Sequence, residues 1–199
     1  MRVFIAGQVV GAEGVRGASA HCKWRLVAGS AWQHVAGLQE GMSQSDTPAE
    51  AGVFVFQQPM EVCFEATGSD PSAHEWPRIE LELRWRDAYD RSDLAGYAVV
   101  HVPSAPGDHS ISCRVWRPRG SFIDRLSAFF VGGYPHLKDP ALVYGLGQAV
   151  SDEETGGTSA TGLLMRQASG GRLTSEPAGV VHLRLGVLRL DGHPIANEN

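Results

Sequence analysis

The chain has 199 residues, of which 43% are hydrophobic and 20% charged, with a formal net charge of −5. That size and balance suit one globular domain with a real core. The acidic balance argues against bulk nucleic-acid binding, which needs a basic surface to displace counterions, and no run approaches the roughly 18 apolar residues of a membrane span.

The opening MRVFIAGQVVG is too short and too strand-like for a signal peptide. Arg2 stands where myristoylation needs glycine, and Ala196-Asn197-Glu198-Asn199 is no prenylation box. Cys22, Cys63 and Cys113 lie far apart, which points to free thiols in a reducing compartment. Cys22 and Cys113 fall on apolar strand faces and are expected in the core.

In chain order, Val3, Ile5 and Val9 mark a first strand. Cys22, Trp24 and Leu26 alternate with His21, Lys23 and Arg25 in a second, and Ala31 to Val35 forms a short third. Gly37 to Pro48 is polar and reads as a long loop. Val53 to Phe56 is a brief apolar run closed by Pro59, and Met60, Val62 and Phe64 begin another strand. Arg78 to Arg86 has the clearest pattern. Ile79, Leu81, Leu83 and Trp85 share one face, and Arg78, Glu80, Glu82, Arg84 and Arg86 share the other. An acidic loop carrying Asp87, Asp90 and Asp93 leads into Leu94 to Pro103, apolar on both sides and so central in its sheet. Ser110 to Trp116 alternates again.

One helix follows. Ser121 and Asp124 resemble a capping box, Phe122, Leu126, Phe129 and Phe130 form a stripe, and Gly132-Gly133 ends it. Residues 145–179, rich in Gly, Ser and Thr, read as a flexible insertion with room for one strand or turn. Val181, Leu183, Leu185 and Val187 mark the final strand, and residues 191–199 form a tail. About eight short strands, one short helix and no βαβ rhythm predict an all-β antiparallel sandwich, a single domain over residues 1–190.

No nucleophile elbow, phosphate loop, HExxH or CxxC occurs, so no enzyme and no cofactor are expected. His101 and His182 fall in strands and are read as satisfied side chains. Glu80 and Glu82 share a face with three arginines, which favours cross-strand ion pairs over a catalytic carboxylate pair. Asp87, Asp90 and Asp93 offer part of the six to eight oxygens calcium wants, or simply the turn chemistry aspartate favours. Arg114, Arg117, Arg119 and Arg125, with Trp116 among them, make a candidate surface for an acidic partner or anionic headgroups, or else a solvated rim.

Several segments together carry a family signature: GQVVGAEG, CKW, AWQHVAGLQEGMSQSDTP, WPRIELELRW, LAGYAVVHVPSAPGDH, CRVWRPRGS, FVGGYPHL and GVVHLRLGVL. In this order they resemble the B9 domain family. The resemblance implies a C2-like β-sandwich in a cytosolic, non-catalytic scaffold at the cilium base: transition zone, basal body and axoneme. The implied partners are other B9-domain proteins of a Meckel-syndrome-type module, which gates entry of membrane proteins into the cilium. Peripheral binding to an anionic membrane surface, without calcium, is the alternative.

The resemblance also bears on the aspartates. Against the calcium-binding C2 pattern, Asp93 matches the third carboxylate of the second working loop and Asp87 the second, while the first falls on Trp85. Arg16 to Ala20, before Cys22, holds no carboxylate for the first loop. A degenerate site without tight calcium binding is expected.

Overall fold

A computed structural model describes residues 1–48, 52–68, 75–87, 91–119, 165–166 and 172–190. Ten strands occur among them: β1 (Arg2–Glu13), β2 (Ser19–Val27), β3 (Trp32–Gly37), β4 (Glu40–Met42), β5 (Val53–Ala66), β6 (Arg78–Arg86), β7 (Ser92–His101), β8 (Gly107–Arg119), β9 (Met165–Arg166) and β10 (Arg172–Leu190). The path through the sheet runs β3-β5-β1-β10-β8-β7-β6-β2-β4, with β9 on β10. Every ladder along it is antiparallel, and the one between β7 and β8 is a single rung.

This curled sheet folds into two arms. β3, β5, β1, β10 and β8 form the first, and β7, β6, β2 and β4 the second. The joint between them is narrow: β7 pairs with β8 at one rung, Tyr97 opposite Trp116. At the other end of the path, β3 and β4 are consecutive in sequence, separated only by Leu38 and Gln39. The Leu38 N–H donates to Glu61 on β5 (3.0 Å), and the Leu26 N–H on β2 donates to the Gln39 carbonyl (2.6 Å). The link therefore staples both arms.

The core lies between the arms because strict alternation sends one face of each strand inward. From the first arm come Val3, Ile5, Val62, Phe64 and Leu183; from the second come Cys22, Leu26, Ile79, Leu81 and Leu83, all essentially without exposure. The expected all-β antiparallel sandwich is the observed fold. β7 is central and apolar on both faces, as its sequence requires: Leu94, Ala95, Tyr97, Ala98 and Val100 are all buried.

Four expectations change. The runs at Val53 and Met60 are one strand, because β5 passes through Pro59. It does so at an irregularity, where the register against β1 shifts between Val9 and Gly11 and Gln57 takes a φ of 45°. β3 pairs only with residues 62–66 of β5, so around Pro59 that flank of the strand is free and a missing N–H is tolerated. The polar stretch from Gly37 to Pro48 holds β4. β10 begins at Arg172, well before Val181, so residues 172–179 of the expected insertion belong to the sheet. Its disguise is a register shift between Pro177 and Gly179, where Gly179 has a φ of 128°. Cys113 is half-buried where full burial was expected, and its thiol donates to the Val99 carbonyl (3.1 Å). The helix over Ser121 to Phe130 and the tail at 191–199 lie outside the described residues, and no α-helix occurs within them.

Candidate functional site

The arginine cluster singled out in the sequence is only partly assembled. β8 alternates, so Arg114 and Trp116 take one face and Arg117 the other. Arg114 is exposed. Trp116 is half-buried against Tyr97, ring centroids 5.6 Å apart. Arg117 is claimed by Glu176 on β10, Nε to Oε1 2.5 Å, so its charge is met within the sheet. Arg119 closes β8, and Arg125 lies outside the described residues.

The aspartate loop is stitched to itself. Asp87 Oδ2 accepts from Arg91 Nε (2.6 Å), and Oδ1 accepts from the Arg91 backbone N–H (2.9 Å). Asp93 Oδ1 accepts from the Leu94 N–H (2.7 Å). Asp93 faces Trp85 across β6 and β7, and Trp85 packs on the core. Asp90 lies outside the described residues. A guanidinium already sits on Asp87, so a divalent cation would have to displace a positive charge to reach it.

The outer face of the second arm carries an ion-pair ladder. Glu80, only 5% exposed, accepts from Arg25 on β2 (2.7 Å) and from Arg78 on its own strand (3.3 Å), and Glu82 accepts from Arg84 (2.9 Å). The cross-strand pairing expected from the alternation is present between Arg25 and Glu80. A shallow hollow of about 540 Å³ lies over Lys23, Glu40, Met42 and Tyr97. At the end of this ladder His21 is buried. Desolvation pushes its imidazole below the ordinary value, and Arg86, Arg84 and Lys23 push the same way against a weaker pull from Glu82. Beneath, burial drives the Cys22 thiol far above its ordinary range, which makes it an inert core residue.

Sequence reasoning missed one polar chain on the first arm. Ser112 Oγ lies 2.9 Å from His182 Nδ1, and His182 Nε2 lies 3.5 Å from Glu13 Oε1. Ser112 stands within a strand, not on the tight strand-to-helix turn that exposes a catalytic serine. Ser112 and His182 join β8 to β10, and the His182 ring stands near Glu13 on β1. Nothing in the sequence spacing could have revealed it, because the three residues meet only through sheet register.

A missed apolar feature lies on the same outer face. Leu188, Phe4, Cys63 and Ala36 stand directly opposite one another on β10, β1, β5 and β3. They form one apolar row across four strands.

The family model "Ciliary basal body-associated, B9 protein" matches residues 3–188. B9 domain-containing protein 2 of Danio rerio is 39% identical over 70% of this chain and 78% of its own length. The Homo sapiens protein of that name is 33% identical over 94% of this chain and 92% of its own. B9 domain-containing protein 1 of Mus musculus is 31% identical over 71% and 69%. Among solved structures, a C2 domain of plant extended synaptotagmin 1 covers 95% of the chain and 96% of its own, at 10% identity and a TM-score of 0.43.

Proposed function

The chain belongs to the B9 domain family, and from that we propose that it is a non-catalytic scaffold of the complex at the cilium base. In this reading it binds other B9-domain proteins of the transition zone and so helps gate which membrane proteins enter the cilium. The observation that carries the reading is that the family match spans residues 3–188 and that the chain is similar to B9 domain-containing protein 2 over 94% of its length and to B9 domain-containing protein 1 over 71%.

The test is a pull-down of the purified chain with B9 domain-containing protein 1 from its own species and with a further B9-domain protein. Retention of at least one is expected, and failure to retain either overturns the reading.

The second reading is a calcium-independent membrane module seated on the arginine shoulder. Exposed Arg114 beside Trp116 favours it. The engagement of Arg117 by Glu176 weighs against it. Co-sedimentation with phosphatidylserine vesicles separates the two, with Arg114, Arg117 and Arg119 changed to Glu as the control. Arginine-dependent sedimentation without partner retention would favour the membrane.

A further inference from the structure

The apolar row on the outer face of the first arm is at least partly exposed along its length. Strands are about 4.8 Å apart, so the row spans roughly 14 Å. At its β10 end, Leu188 and Leu190 are each 53% exposed. They reach beyond the last rung with β8, Val187 opposite Gly107, so β8 does not shield them on that side. At the β3 end, Leu38 is 69% exposed, and Val35, within the β3 bulge, is 46% exposed. Exposed large apolar side chains scattered singly mean little, but Leu188 is set in line with Phe4, Cys63 and Ala36 by the register of four strands, with Leu190 in the next row opposite Arg2.

The rows on either side define the chemistry. On one side Arg2 and Glu65 cancel each other (2.9 Å). On the other side Gly186, Ala6 and Glu61 stand opposite one another. Glu61 is exposed and has no ion-pair partner among the described residues. The two small residues leave a hollow of about 630 Å³, with Asp108 on one wall and Arg184 beyond. Asp108 too is exposed without an ion-pair partner among the described residues.

We infer that this face is a protein-docking surface, and that its occupant is the sheet of another B9-domain protein presenting an apolar patch with a Lys or Arg beside it. The apolar row would seat the patch, and the basic side chain would enter the hollow over Ala6 and Gly186 to meet Asp108, with Glu61 opposite Ala6 on β5 adding to the negative potential. An anionic membrane is the poorer fit, because these two carboxylates would face its headgroups. This inference rests on the scaffold reading and adds the surface that performs it.

The test measures binding of the full chain to B9 domain-containing protein 1 from its own species by biolayer interferometry. Four forms are compared: wild type, Leu188→Glu, Glu61→Lys, and Lys23→Glu on the opposite face. All three substitutions are at exposed positions, and circular dichroism verifies that each variant is folded. The expected result is a Kd raised about tenfold or more by Leu188→Glu and severalfold by Glu61→Lys, with Lys23→Glu like wild type. Wild-type binding that neither first-arm variant weakens overturns the surface and leaves the scaffold reading standing. Absence of wild-type binding to this partner overturns the docking proposal; the scaffold reading falls as well only if the further B9-domain protein also fails. Sedimentation with phosphatidylserine vesicles that Leu188→Glu abolishes overturns the choice of a protein occupant.

Discussion

The two outer faces of the sandwich cover the same core and differ in what surrounds their charges, although each carries ion pairs, Arg2 with Glu65 on the first arm and Glu80 with Arg25 on the second. On the second arm the charges are turned on each other: Glu80 sits between Arg25 and Arg78, and Glu82 meets Arg84. On the first arm Glu61 and Asp108 are left open beside a row of apolar side chains. A face whose charges are already matched gains little from a partner, since binding would exchange one set of ion pairs for another. A face with exposed leucines and open carboxylates has both to gain. The contrast suggests that the second arm completes the fold and the first meets other molecules.

The largest expected effect tests what the faces share. Phe64→Ala, under the first arm, and Leu83→Ala, under the second, should each lower stability by about 3–4 kcal/mol in urea titrations, because both side chains are fully buried. A much smaller loss for Phe64 would mean that the first arm is loosely held. Next come the acids that distinguish the faces. Glu80→Gln should cost about 1–2 kcal/mol, a value discounted because Arg25 is half exposed. Glu61→Gln should stay within about 0.5 kcal/mol, as open surface substitutions do. Equal losses would erase the contrast.

A subtler effect belongs to His21. Its imidazole is held below its ordinary value in the folded chain, so below about pH 6.5 the unfolded chain binds more protons. The stability that neutral His21 allows is present above that pH and declines as pH falls through it. Urea midpoints should therefore fall between about pH 7 and pH 5.5, and His21→Asn should flatten that part of the profile. A slope unchanged by the substitution would assign the effect to other groups. The smallest expected effect is none: millimolar calcium should leave the unfolding midpoint where it was, since Asp87 is held by Arg91. Micromolar affinity by isothermal titration would contradict this.

Much of the fold was legible in sequence where a strand has one wet and one dry face. Arg78 to Arg86 alternates without a fault and is β6 to the residue. β7, apolar on both sides, is central. Sequence reasoning failed at irregularities: Pro59 and Gly179 look like stops and are strand residues beside register shifts. The family motifs were legible because they are local strings. The apolar row was not, because Phe4, Ala36, Cys63 and Leu188 become neighbours only when four strands are set in register. The arginine cluster misled for the reverse reason. Closeness in sequence along a strand places neighbours on opposite faces, which is how Arg117 came to face Glu176 instead of Arg114's surroundings.

The narrow joint between β7 and β8 has a mechanical consequence. One backbone rung, the contact of the Tyr97 and Trp116 rings, and the Cys113 thiol on the Val99 carbonyl hold the arms together along that line. β1 and β10, by contrast, are zipped from Arg2 to Glu13. Along the β7–β8 line few backbone bonds join the arms, so their hold on each other rests on the shared core and on the Leu38–Gln39 link at the far end of the path.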